Sequence, residues 1–314
     1  MNALVVEQPG SLVLKSVPVP TVAAGEVLVK THAVALNPTD WKHRDSAAPV
    51  GSILGCDFAG VVSKVGEGVT ILKEGDRVAG LAHGGNNAED GAFAGAVPLR
   101  DFDQEAAFDN LHLADYVKAE APTVWKIPEG TSFEEAAAMG GVGPATAFYA
   151  LYVELGLPKP DSPLKTPEPL LVWGGASSVG LYVIQLAKLS GYTVVATCSP
   201  KNFDLLKSYG AESVFAYSDS ETPAKIAEAY PTLAIAVDTI SEKSTSALAS
   251  QSMGAKAGAK RVVRLLPPQA GDNAGFADVT VSWVLSYNLL GKAYFKFGHQ
   301  FDAQPALRSA YEEW

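Results

Sequence analysis

The chain has 314 residues, 18% charged and 47% hydrophobic, which suits a globular protein of about two domains and excludes a disordered or fibrous one. A formal charge of −10 excludes a nucleic-acid surface, because phosphate binding needs clustered Lys and Arg, and leaves a small-molecule ligand as the expectation. No apolar run approaches a membrane span, MNALVVEQPG has no basic leader region, and Cys56 and Cys198 are too few for a disulfide framework, so a cytoplasmic protein with no membrane partner is expected.

From the start, residues 2–34 alternate strand-like runs with Gly and Pro turns. Asn37-Pro38 then marks a turn that opens a short helical piece through Thr39-Asp40-Trp41-Lys42. Ile53–Val62, Val61–Val65 and Arg77–Gly80 follow, divided by Gly66-Glu67-Gly68 and Glu74-Gly75-Asp76. Short strands with glycine turns at this spacing predict a β-barrel-like domain over 1–130. Gly91-Ala92-Phe93-Ala94 starts a strand whose continuation, Asp115–Lys118, comes only after Gly95–Ala114. That acidic piece is expected to be a surface loop inserted into the strand.

Thr131-Ser132-Phe133-Glu134-Glu135 supplies a capping box, and Ala136–Leu155 is helix-compatible with a break at Gly140–Pro144. Prolines from Pro158 to Pro169 keep the next stretch extended. Leu170-Leu171-Val172-Trp173 then reads as a strand buried on both faces, and Gly174-Gly175-Ala176-Ser177-Ser178-Val179-Gly180 as a strand-to-helix turn. Leu181, Ile184, Leu186, Ala187 and Leu189 recur at helical spacing before the β-branched run Tyr192–Thr197. In such a βαβ unit the first N–H groups of the helix and its dipole face an anion, and glycine lets a pyrophosphate approach the backbone. Only Gly175 and Gly180 fall on the G-x-G-x-x-G spacing, so placement carries this reading more than spelling does. Helices at Phe203–Ser208 and Thr222–Ala229 alternate with strands at Ser213–Tyr217, Leu233–Asp238 and Lys260–Leu266, which predicts an α/β doubly wound parallel sheet over 131–278. Residues 279–314 include an apolar, aromatic stretch too short to form a domain.

With these pieces in order the chain resembles the zinc-independent, quinone oxidoreductase-like branch of the medium-chain dehydrogenase/reductase superfamily, in which a GroES-like domain precedes a Rossmann domain. The matches are Asn37–Lys42, Leu54–Val62 with Val65-Gly66 and Gly75–Val78, and the βαβ unit. Thr197–Phe203, Leu265-Leu266 and Gly291-Lys292 are similar, more narrowly, to the fungal enoyl reductases that stand alone and serve polyketide synthases in secondary metabolism. Zinc members place a His-Glu pair where this chain has Cys56-Asp57, and His32, His43, His83, His112 and His299 have no ligand spacing, so no metal is expected. Against the family pattern Gly95–Ala114 is an insertion, and the family continues beyond Trp314, which makes 279–314 a shortened return segment toward the first domain.

The resemblance implies that NADPH reduces an activated C=C bond, with the pyrophosphate over Gly175, Ala176, Ser177, Ser178, Val179 and Gly180. Thr39, Asp40, Trp41 and Lys42 would approach the cofactor from the first domain, and Leu265 and Leu266 from the second. Lys42 and Thr146 are the candidate catalytic residues, Lys42 to stabilise the developing enolate unless it is simply a solvated lysine. Gly141, Gly143, Thr146 and Phe148, with Trp283, Leu285, Tyr287 and Asn288, would line the acyl pocket, ordinary core packing being the alternative. No proton donor is evident. Cofactor choice rests on Ser199, Pro200, Lys201 and Asn202, which bring no acid to the end of the second βαβ strand, and on Tyr217, which resembles a residue that packs on the adenosine. The competing expectations are a quinone or alkenal reductase and a catalytically inactive NADPH-binding protein.

Overall fold

A computed structural model describes residues 1–93, 116–268, 278–296 and 299–314. The expected insertion, Gly95–Ala114, lies outside the described residues. The chain divides into two units, Met1–Val142 with Tyr287–Trp314, and Gly143–Ser286.

The first unit starts with the hairpin β1 (Asn2–Gln8) and β2 (Ser11–Ser16). Five further strands, β3 (Glu26–Ala35), β4 (Asp57–Val65), β5 (Arg77–Leu81), β6 (Tyr116–Glu120) and β7 (Val124–Lys126), form an antiparallel sheet in the order β6-β3-β4-β5-β7. Val27, Val29, Phe58, Val62, Val78 and Val117 bury one core, as the β-branched runs predict. Helix Phe133–Met139 covers the other side through Ala136 and Ala137, against Ala33, Ala59 and Ala79. Its capping box forms as expected, with Glu135 N–H donating to Ser132 Oγ (3.1 Å) and Ser132 N–H to Glu135 Oε2 (2.9 Å). The apolar run Phe133–Glu154 is long enough to cross a bilayer, but 72% of its most apolar stretch is buried inside the protein, as in a core helix.

The second unit is a six-stranded parallel sheet of β8 (Pro169–Trp173), β9 (Thr193–Cys198), β10 (Ser213–Ala216), β11 (Ile235–Asp238), β12 (Lys260–Arg264) and β13 (Val279–Trp283), in the order β10-β9-β8-β11-β12-β13. Leu170, Leu171 and Val172 are fully buried, which is why this strand reads as a continuous apolar run rather than an alternating one. The order reverses direction between β8 and β11, which makes the crevice at their carboxyl ends the topological switch point. Strand β13, beyond residue 278, adds the sixth member beside β12, and helix Thr245–Gln251, which has no strong apolar period, lies between β11 and β12 in sequence.

The chain re-enters the first unit at Tyr287 and adds the small hairpin β14 (Tyr294–Lys296) and β15 (His299–Phe301), then helix Pro305–Glu312.

Candidate functional site

The glycine turn sits where β8 meets helix Ser178–Leu189, at the switch point. Ser177 caps the helix by accepting from Gly180 N–H (3.0 Å), and Ser177 Oγ donates to Thr239 Oγ1 (2.9 Å), just past the end of β11. Gly174 adopts φ +82, and a Cβ there would meet Ile240 at 2.5 Å. A Cβ on Gly180 would lie 2.7 Å from the carbonyl oxygens of Gly174 and Gly175, so the helix packs directly on the turn. The N–H groups of Ser178 and Val179 fall in the first helical turn, where no intrahelical acceptor exists, and Ser178 is exposed. The turn therefore fits a dinucleotide pyrophosphate: it is capped by Ser177, close-packed by glycine, and leaves the Ser178 and Val179 N–H groups without an intrahelical acceptor.

At the end of β9, Ser199 Oγ donates to Tyr217 Oη (3.1 Å), and Tyr217 is 53% exposed. Pro200 and Lys201 are exposed and Asn202 half-buried. These residues, distant in sequence, are brought together because β9 and β10 pair in parallel, with Cys198 opposite Ala216. Leu265 and Leu266 follow β12, and Leu265 N–H donates to Ser241 Oγ (2.7 Å). Gly143 meets the turn itself: a Cβ there would reach the Tyr182 ring at 2.9 Å and Ser178 Oγ at 3.2 Å. Thr146, Phe148 and Leu285 are buried within this unit and Trp283 is half-buried at the end of β13.

A second cluster occupies the first unit. Pro38–Lys42 is a short helix that carries Thr39, Asp40, Trp41 and Lys42. The Lys42 ammonium lies 5.3 Å from the Trp41 ring centroid, and Trp41 is exposed. Asp40 points inward and accepts from Asn37 N–H (2.7 Å). Burial, together with the charge of Asp57, pushes its carboxyl up to about 7. Asp57 accepts from Asn37 Nδ2 (2.9 Å) and from the N–H groups of Gly141 (3.1 Å) and Val142 (2.9 Å). Burial raises it to about 6 against those bonds. Thr39 Oγ1 lies 2.9 Å from Tyr287 Oη and 3.2 Å from His43 Nδ1, and Cys56 Sγ lies 3.2 Å from Tyr287 Oη. Asn288 accepts from Tyr294 Oη (2.6 Å). Among the described residues no three His, Cys, Asp or Glu side chains converge as metal ligands would.

Three members of this cluster escape a reading of the sequence alone. Lys296 is 2% exposed, with Nζ 4.1 Å from the Tyr287 ring centroid and 3.4 Å from His83 Nε2. Burial lowers its ammonium to about 7. The His83 ring stacks on Tyr287 at 4.2 Å and 12°. Burial, and then the Lys296 charge, hold His83 well below the usual histidine range and take His43 down to about 3. The available signal is alternation: in Tyr294-Phe295-Lys296 the outer residues face inward and Phe295 faces out, so a lysine shares the buried face with a tyrosine.

Comparison with known proteins gives a consistent family. Residues 23–129 match the alcohol dehydrogenase GroES-like domain and residues 178–266 the zinc-binding dehydrogenase domain. The chain is 42% identical over 296 residues to the trans-enoyl reductase ACTTS2 of Alternaria alternata, covering 92% of this chain and 78% of that protein. It is 37% identical over 305 residues to the trans-enoyl reductase ccsC of Aspergillus clavatus, covering 95% and 78%. An alcohol dehydrogenase superfamily protein from Novosphingobium aromaticivorans shares the fold with a TM-score of 0.70 at 25% identity, over 92% of this chain and 81% of that one. The fold, the turn and these relatives make the chain a nucleotide-dependent oxidoreductase acting on a small molecule.

Proposed function

The chain belongs to the trans-enoyl reductase family of medium-chain dehydrogenase/reductases, and from that premise we propose that it reduces the activated double bond of a 2-enoyl thioester with NADPH. The observation that supports the cofactor choice is the end of β9, where Ser199 bonds to Tyr217, Lys201 is exposed, and the nearest following acid, Asp204, belongs to the next helix. The bound dinucleotide supplies the hydride. The chain's own residues would hold it: the turn Gly175–Gly180 would seat the pyrophosphate, with the N–H groups of Ser178 and Val179 as its donors, Ser199 and Lys201 would read the 2′-phosphate, Tyr217 would pack on the adenosine, and Leu265 and Leu266 would border the nicotinamide end.

In the first unit we assign Thr39, Trp41 and Lys42 to the reacting end, with Lys42 to stabilise the enolate oxygen, while Asp40, buried behind them, supports the short helix that carries them. The residues proposed for the acyl substrate are Gly143, Thr146, Phe148, Trp283 and Leu285 of the second unit and Gly141, Tyr287 and Asn288 of the first. The acyl chain arrives on a polyketide synthase in fungal secondary metabolism, the setting in which a reductase separate from its synthase is used, and the protein works in the cytoplasm. Purified chain is mixed with NADPH and a series of 2-enoyl thioesters, with quinones in parallel. Oxidation of NADPH by enoyl thioesters at least tenfold faster than by quinones is expected; the reverse order would assign the chain to quinone reduction.

A further inference from the structure

Reduction of an enoyl thioester needs a proton at the α-carbon, and we infer that Tyr287 supplies it through the Thr39 hydroxyl, while Lys296 balances the charge that Tyr287 leaves behind. The inference rests on the reaction proposed above. It starts from a path: Tyr287 Oη is buried and lies 2.9 Å from Thr39 Oγ1, and Thr39 is only half-buried, so the two hydroxyls lead from the interior to a point that a reactant can reach.

The path ends at an unneutralised charge. Lys296 forms no ion pair with a carboxylate among the described residues, and its Nζ contacts instead the face of Tyr287 (4.1 Å) and His83 Nε2 (3.4 Å). A buried ammonium without an anion is costly, and a phenolate directly beneath it would supply the missing counter-charge. The surroundings favour the same exchange. His83 is held neutral by burial and by Lys296, so it accepts from the ammonium rather than competing with it. Burial and the charges of Asp40 and Asp57 keep the Cys56 thiol protonated, 3.2 Å from Tyr287 Oη, so Cys56 is not itself an anion competing for the Lys296 ammonium. His43 is neutral and fixes the Thr39 hydroxyl at 3.2 Å, and Tyr294 closes the cluster edge-on to His83. Burial, then the neighbouring Cys56 and the charge of Asp40, oppose the ionisation, so Tyr287 rests as a neutral phenol until a strong base takes its proton.

The step balances. A bound dinucleotide would supply hydride to the β-carbon, so that the chain's own residues face an enolate that needs one proton. The Thr39 O–H bond breaks as the α-carbon–hydrogen bond forms, and the Tyr287 O–H proton passes to the Thr39 oxygen. The phenolate stays under the Lys296 ammonium until water, entering at Thr39 after product leaves, returns one proton. Each double bond consumes one hydride and one proton.

The test uses the complete chain with NADPH and but-2-enoyl-CoA. Tyr287→Phe should lower kcat at least tenfold and raise the solvent deuterium isotope effect, while the Kd for NADPH stays within twofold. Because Lys296 is charged below about 7, wild-type kcat should fall as pH rises through that value, and Lys296→Met should be slow with no such fall. Independently of turnover, lysine labelled with carbon-13 at Cε should show, in the unliganded protein, one residue titrating near neutrality that is absent from Lys296→Met. A wild type that reduces the thioester, with Tyr287→Phe within twofold of it in rate and pH profile, would overturn the relay alone, as would the lack of a near-neutral lysine. A wild type that oxidises no NADPH with any enoyl thioester would overturn the proposed reaction and the relay with it.

Discussion

Tyr287 and Thr39 share a hydrogen bond of 2.9 Å across 248 residues of sequence. The bond ties the return of the chain into the first unit to the helix that follows Asn37-Pro38, and Cys56 lies at the same phenol oxygen. Tyr287→Phe keeps the ring, its stack on His83 and the contact with Lys296, and removes only the hydroxyl. A typical hydrogen bond is worth ~1 kcal/mol net, and Thr39 retains His43 as a partner. Urea unfolding should show a loss of about 1 kcal/mol with an unchanged slope, leaving a folded variant for kinetics; a loss above about 4 kcal/mol would mean that the hydroxyl is a structural requirement.

The second unit was the more legible in sequence, and the reason is periodicity. The apolar run Leu170–Trp173, the glycine turn and the helical spacing after it each have a single structural solution, and all three appear. The strands end earlier than the sequence predicts, at Ala216 rather than Tyr217 and at Arg264 rather than Leu266, because an apolar or aromatic side chain continues the pattern past the last ladder bond after the chain has left the sheet. Helix Thr245–Gln251 was not legible because its buried positions are Ser and Ala, which give no apolar stripe. The buried cluster in the first unit was legible only in part. Thr39 and Tyr287 could be named from family resemblance, but nothing local says that they meet, and Lys296 and His83 look like ordinary polar residues until the sheet folds them inward.

Asp40 and Asp57 make stability depend on pH in a direction opposite to that of a salt-bridged carboxylate. Both are raised by burial, Asp40 to about 7 and Asp57 to about 6, against unfolded values near 3.8. The folded state therefore holds more protons than the unfolded one between about 4 and 7, and stability falls as pH rises through that window. Asp40→Asn keeps the acceptor for Asn37 N–H and cannot ionise, so its stability should change less across the window, by an amount on the order of 3 kcal/mol. Urea unfolding at both ends of the window, on wild type and variant, measures this; parallel curves would show that Asp40 ionises as it does in water.

Gly180→Ala tests the close packing of the turn. Alanine is the better helix former, but its Cβ would stand 2.7 Å from two backbone carbonyl oxygens, which cannot move aside as a side chain can. Overpacking of this kind costs ~1–3 kcal/mol and would displace the first helical turn from the pyrophosphate it is proposed to hold. The variant should melt several degrees lower and bind NADPH at least tenfold more weakly. An alanine variant with unchanged melting temperature and affinity would place the pyrophosphate elsewhere.

The proposed choice of NADPH over NADH rests on the end of β9. A carboxylate there would accept from the ribose hydroxyls of NADH and repel a 2′-phosphate; this chain presents Ser199, Pro200, Lys201 and Asn202 instead. Ser199 donates to Tyr217 through a 3.1 Å bond, which sets its hydroxyl beside the exposed phenol proposed to pack on the adenosine, and Lys201 is exposed in the same turn, where it would be able to swing to a phosphate. A charge-assisted contact is worth ~1.5–3 kcal/mol, and each ~1.4 kcal/mol is tenfold in affinity. Lys201→Ala should therefore weaken NADPH by about ten- to a hundredfold and leave NADH nearly unchanged. Because Lys201 is exposed, the melting temperature without cofactor should not move. Titrating both cofactors against both proteins measures the difference directly: equal losses for NADPH and NADH would show that Lys201 contributes only a general field, and that the 2′-phosphate is read by another group.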